Sequence, residues 1–116
     1  MSNHVICPAA EIPPGARKLV SIEGRSIGIF NVNGDYFALR NACIHNQGPV
    51  CLGRVGGTYL PSEPDEYRPG LEGQVLRCPW HGREYNITTG ADLIDSSLKL
   101  RTYAVTIEDG NVVVKL

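Results

Sequence analysis

The chain has 116 residues, a net charge of −1 and a pI near 6.3. That length suits one domain over 1–116 with a modest core, and the balanced charge excludes the basic field that nucleic acid or an anionic membrane would attract. No apolar run approaches the roughly 18 residues of a membrane span.

The N-terminal stretch MSNHVICPAAEIPPGARKLV lacks a basic segment leading into an apolar one, so a signal peptide is not expected and a cytoplasmic location is. Residues 3–7 and 17–22 read as strands, separated by the turn-rich EIPPGA. Residues 26–32 and 35–39 flank Asn33-Gly34, a hairpin signal, because both residues tolerate the positive φ of a tight turn. The stretch 56–73 is rich in glycine and proline and acidic at Glu63, Asp65 and Glu66. It reads as an excursion loop, equally able to hold a short irregular turn or strand. Residues 74–78 and 83–87 read as strands, as do 99–107 and 111–115 around a second hairpin signal, Asp109-Gly110. Strong helical periodicity is scarce, and this spacing predicts an all-β antiparallel sandwich or barrel.

Chemistry concentrates in two short stretches. NACIHNQGPVC, residues 41 to 51, holds Cys43 and His45 one residue apart; RCPWHGREYN, residues 77 to 86, holds Cys78 and His81 two residues apart. Each follows or ends a predicted strand and runs into a glycine, Gly48 or Gly82, as expected of two loops whose tips meet. With four cysteines and a reducing compartment, metal or redox chemistry is favoured over a disulfide framework. Three chemistries use such a set. A mononuclear zinc site accepts Cys₂His₂, although its usual spacing pairs cysteines in one half and histidines in the other. A Cys–His nucleophile needs one pair and leaves the second idle. An iron–sulfur cluster in which histidines replace cysteines on one of two irons uses all four.

Cys43-Ile44-His45 with Gly48-Pro49, and Cys78-Pro79-Trp80-His81-Gly82 with Tyr85-Asn86 and Thr89-Gly90, resemble the two signature boxes of Rieske iron–sulfur proteins. The strand into the first box (Gly34 to Leu39) and the closing hairpin (Leu100 to Val114) resemble that family too. The resemblance implies two stacked antiparallel sheets with a small cluster-binding subdomain, here roughly 40–92 with an insertion at 56–73. It implies a [2Fe–2S] cluster with Cys43 and Cys78 on the inner iron and His45 and His81 on the outer one. Gly48, Pro79, Trp80, Gly82 and Tyr85 would line it.

Departures from the family pattern bear on the potential. High-potential members have a disulfide between the boxes, and its positions are Gly48 and Trp80 here; a serine donor to a bridging sulfide is replaced by Arg83. Tyr85 stands where a tyrosine hydroxyl donates to a ligand sulfur. A low to intermediate potential is expected, nearer roughly −150 mV than +300 mV. Cys7 and Cys51 read as small buried apolar groups.

The chain has three histidines, so after two are spent on the cluster only His4 remains and no two-His, one-carboxylate iron site can be built. Gly53, Gly56 and Gly57 read as ordinary turns, with no helix after them to make a nucleotide fingerprint. The implied role is therefore that of a non-enzymatic, monomeric one-electron carrier between a flavin-dependent reductase and a terminal oxygenase. A small subunit of a larger redox enzyme, such as nitrite reductase, is the alternative, and a zinc-stabilised binding module the third reading.

Overall fold

The computed structural model describes residues 3–42, 49–60, 68–79, 84–93 and 97–116, with 56–60 and 68–73 described as backbone alone. Nine strands are seen among them: β1 (Asn3–Pro8), β2 (Arg17–Ile22), β3 (Arg25–Val32), β4 (Asp35–Arg40), β5 (Arg54–Leu60), β6 (Arg68–Arg77), β7 (Glu84–Asn86), β8 (Thr102–Glu108) and β9 (Asn111–Lys115). Six form an antiparallel sheet in the order β1-β9-β8-β4-β3-β2, and three form a smaller antiparallel sheet, β5-β6-β7. The all-β antiparallel expectation is met.

Local chemistry explains the tight turns. Asn33 and Gly34 take φ values of 53° and 98°, and Asp109 and Gly110 take 53° and 78°, so both central residues are left-handed as a two-residue hairpin requires. A third such turn joins β2 to β3 at Glu23 (φ 51°) and Gly24 (φ 77°). Its flanking strands were legible in the sequence, but the turn was not. Glutamate lacks the short side chain that lets Asn and Asp settle at positive φ.

The segment 56–73 differs from the expected excursion loop. Its described parts belong to β5 and β6, which pair antiparallel from Arg54↔Arg77 to Leu60↔Arg68, with a register shift between Gly56 and Thr58. Glycine and proline obscured the strand pattern, because the pairing that stabilises it lies across the ladder rather than along the chain. The acidic residues Glu63, Asp65 and Glu66 lie outside the described residues. At the other end, β8 begins at Thr102 rather than 99. Lys99 instead bridges Ala91, and the Leu100 N–H donates to the Gly90 carbonyl at 2.8 Å, which draws this stretch towards the smaller sheet.

Two cores result, and β3 serves both. Every residue from Ile27 to Val32 except Gly28 carries a side chain buried on one face or the other. Ile27 and Ile29 face a core with Cys7, Ile12, Ile22 and Val114, while Phe30 and Val32 face one with Leu39, Val50, Cys51 and Leu76. The period of two along a strand divides them. β4 divides likewise, Ala38 to the first core and Leu39 to the second. The second core lies where the smaller sheet meets the larger one, under the bases of both loops.

Candidate metal centre

The first loop leaves β4 after Arg40. The Asn41 N–H donates to the Ser26 carbonyl at 2.8 Å, which holds the exit against β3. The chain is described again from Pro49 and enters a 3-10 turn, Val50–Leu52, with Val50 and Cys51 buried. Asn41 also closes the loop at its base: its Oδ1 accepts from the Cys51 N–H at 2.8 Å. The Cys51 thiol donates to the Leu39 carbonyl at 3.6 Å. Arg17 of β2 ties the same turn to the large sheet, its Nη1 donating to the carbonyls of Cys51 (2.9 Å) and Gly53. Arg17 also stacks over Phe30, 5.8 Å from the ring centroid.

The second loop leaves β6 at Arg77 and rejoins β7 at Glu84. Its stem is amphipathic. Leu76 and Tyr85 stand opposite each other and are buried, and Val55 packs beside them from β5; the outward row holds Arg54, Arg77 and Glu84. Cys78 follows Arg77 directly, is 1% exposed, and belongs to the same core as Cys51 and Tyr85. Pro79 is exposed. Behind the stem, the Leu93 N–H donates to the Glu84 carbonyl at 3.0 Å and the Asn86 N–H to the Ala91 carbonyl at 2.8 Å, so residues 91–93 cover β7.

Gly53 joins the two stems. A Cβ built on it would stand 1.8 Å from the Arg77 carbonyl oxygen, so the turn after the first loop lies directly on the backbone that precedes Cys78. Its φ of −72° is ordinary, and its requirement is for space rather than for a left-handed conformation. The ordinary-turn reading of Gly53 therefore missed a close approach, and no local signal could have shown one. Arg17 and Asn41 were also missed, for the same reason: their partners are distant in sequence.

Of the expected site residues, Cys78, Pro79 and Tyr85 are described, whereas Cys43, His45, Gly48, Trp80, His81 and Gly82 lie outside the described residues, as does Arg83. Among the described residues no three His, Cys, Asp or Glu side chains stand together as a metal-binding group. What is described fits a cluster of the expected kind. One thiol is sealed at the base of its loop, and the stems of both loops share one core. Cys7 and Cys51 are buried, at 7% and 0% exposure. Burial pushes the Cys51 thiol up to about 12, against smaller opposing effects of a backbone hydrogen bond from Gly28 and of Arg17. It stays protonated at neutral pH, in keeping with its donation to the Leu39 carbonyl.

The Arg17 hydrogen bonds lead to a stability prediction. Arg17→Ala strands two carbonyls and removes charged hydrogen bonds, each worth about 1.5–3 kcal/mol. Urea unfolding is expected to show a loss of about 2–3 kcal/mol, partly offset where water reaches the carbonyls. An unchanged midpoint would show that the two bonds contribute nothing.

The family model for the Rieske [2Fe-2S] domain matches residues 2–104. The biphenyl dioxygenase ferredoxin subunit of Pseudomonas sp. (strain KKS102) is 28% identical over 109 residues, covering 93% of this chain and 86% of that protein. The 3-phenylpropionate/cinnamic acid dioxygenase ferredoxin subunit of Photorhabdus laumondii subsp. laumondii is 26% identical over 113 residues, covering 97% and 92%. Among solved structures, a chain from the complex of reduced oxygenase and oxidized ferredoxin in carbazole 1,9a-dioxygenase superposes with a TM-score of 0.75 at 22% identity, covering 97% of this chain and 91% of that one.

Proposed function

The chain belongs to the Rieske [2Fe-2S] domain family, and from that premise we propose that it is an electron carrier whose cluster is held by Cys43, His45, Cys78 and His81. The cluster, when bound, stores and releases one electron. The observation that carries the reading is the shared base of the two loops, with Cys78 buried in it and Gly53 in contact with the backbone before it.

The chain's own residues have distinct tasks. Cys43 and Cys78 would hold the cluster by their thiolates, and Cys78 lies buried where a thiolate needs a metal to stabilise it. His45 and His81 would hold it by their imidazoles. Gly48, Pro79, Trp80, Gly82 and Tyr85 form the walls. Leu76, Tyr85 and Ile87 keep water from the inner side, since all three are fully buried. Arg17 and Asn41 keep the stem of the first loop in place.

The relatives are named as ferredoxin subunits of dioxygenases, and the structural neighbour is in complex with an oxygenase. These names support a terminal oxygenase as electron acceptor, and a flavin-dependent reductase as donor completes the chain of transfer. The carrier works as a cytoplasmic monomer. No helix of the described residues is long and apolar enough to cross a membrane.

Visible absorption, iron and sulfide content, and low-temperature EPR of the dithionite-reduced protein test the cofactor. A colourless, EPR-silent protein containing zinc would refute the reading. A second prediction concerns Tyr85. Hydrogen bonds to the sulfurs stabilise the more negative reduced state. Tyr85→Phe is therefore expected to lower the midpoint potential, as measured by EPR-monitored redox titration. An unchanged potential in a fully loaded variant would mean that the hydroxyl does not reach a sulfur.

A further inference from the structure

The large sheet is electrically polar from end to end. The loops leave one end, where β3 begins and β4 stops, and exposed cations collect there. Arg25 opens β3, and Arg40 closes β4 opposite Ile27. The Arg40 N–H donates to the Arg101 carbonyl at 2.9 Å, and Lys99 stands two residues before Arg101. Arg54 and Arg77 are directly opposed at the base of the smaller sheet. All six side chains are exposed. The described acids at this end are Glu23, 3.5 Å from His4, the half-buried Glu84 beside Arg77, and the buried Asp92. The opposite end carries the Asn33-Gly34 and Asp109-Gly110 turns and is acidic, with Glu11, Asp35, Glu108 and Asp109 all exposed. Lys18 lies 3.7 Å from Glu11 there.

The Arg54–Arg77 pair is the informative part. Like charges directly opposed in an antiparallel ladder destabilise it. On its other side Arg77 faces Glu84 across the β6–β7 ladder, so one half-buried acid stands against two exposed arginines. Beside them are two apolar groups, Leu52 at 58% exposure and the exposed Pro79 that follows Cys78. An apolar spot bordered by charge of one sign is the anatomy of a protein-binding surface. The chain's other acids, Glu63, Asp65, Glu66, Glu72 and Asp95, lie outside the residues whose side chains are described.

We propose that the loop-bearing end is a basic docking face for an acidic protein surface on the electron-transfer partner. The inference rests on the electron-carrier reading and adds the sign of the partner's charge. A long nucleic-acid polyanion is disfavoured by the acidic far end and the net charge of −1. A partner of limited acidic area is attracted to one end and repelled from the other, which turns the loops toward it as it approaches.

Stopped-flow oxidation of the reduced, EPR-positive protein tests this with small probes. Each ferricyanide takes one electron and becomes ferrocyanide; no bond forms or breaks. Its rate is expected to fall as salt is added, and that of cationic hexaamminecobalt(III) to rise. Arg54→Gln with Arg77→Gln should flatten the ferricyanide slope, whereas Asp109→Asn at the far end should not. Poly-L-glutamate should slow wild-type oxidation more than that of the double variant. Should the double variant fail to load, Arg25→Gln with Lys99→Gln is expected to flatten the slope in its place. A salt response of the opposite sign, or one unchanged in a loaded variant, overturns the docking face alone. Absence of the EPR signal from wild-type protein would instead overturn the electron-carrier reading, before any rate is measured.

Discussion

Cys78→Ala is expected to leave a protein without iron, sulfide or visible colour, while Cys51→Ala keeps all three. Both thiols are buried in one core, at 1% and 0% exposure, so burial does not separate them. Position does. Cys78 ends a strand stem and opens the second loop, with Pro79 exposed immediately after it. Cys51 sits inside a 3-10 turn with its thiol donating to the Leu39 carbonyl. Removing its sulfur costs packing of about 1 kcal/mol, judged from small deletions of buried groups. Removing the Cys78 sulfur takes away one of the four proposed ligands, and His81→Ala or Cys43→Ala is expected to act alike. The check is metal analysis together with EPR of the reduced protein. A Cys51→Ala protein that lost its cluster, or a Cys78→Ala protein that kept one, would show the ligand assignment to be wrong.

Gly53→Ala is the second large effect, and it acts without touching a ligand. The new methyl would meet the Arg77 carbonyl oxygen at 1.8 Å, the Arg77 carbonyl carbon at 2.8 Å and the Val50 carbonyl oxygen at 2.9 Å. All three neighbours are backbone, so no side chain can swing away. Either the turn lifts off β6 or β6 moves, and both break the base shared by the two loops. Overpacking of this kind costs about 1–3 kcal/mol and more where backbone must shift. Thermal unfolding is expected to fall well below wild type, with the cluster lost before the large sheet melts. Gly15→Ala makes the contrast. Its φ of +86° carries strain, but nothing lies within 4 Å of the added group. It is expected to cost about 1 kcal/mol, in line with a left-handed non-glycine residue, and to keep the cluster. Equal effects at the two glycines would mean that close approach at Gly53 is not what holds the site.

How much of this was legible in the chain depended on the range of the physics involved. Asn33-Gly34 and Asp109-Gly110 could be read because a hairpin turn is decided by the φ preferences of two adjacent residues, and both turns formed as expected. The spacing of Cys43, His45, Cys78 and His81 could be read as the signature of the family the chain belongs to, and the ligand roles proposed for them rest on that resemblance. The β5–β6 ladder could not be read through 56–73, since Gly56, Gly57 and the prolines there have weak strand preference, and pairing with a partner strand overrides it. Nor could the third hairpin, where Glu23 is left-handed without a favourable side chain. There the pairing of β2 with β3, from Arg17↔Phe30 to Ile22↔Arg25, imposes the turn.

By itself the sequence determined the class of fold and the two signature stretches of its family, which follow from local preference and short spacing. Only the tertiary structure decided that Gly53 must have no side chain, that Arg17 and Asn41 tether the first loop, and that Arg54 and Arg77 stand opposed on one end of the molecule. Each of these depends on groups far apart along the chain that meet only when the two sheets pack. The forces concerned, steric exclusion, hydrogen bonding and charge, act over a few ångströms of space whatever the distance in sequence.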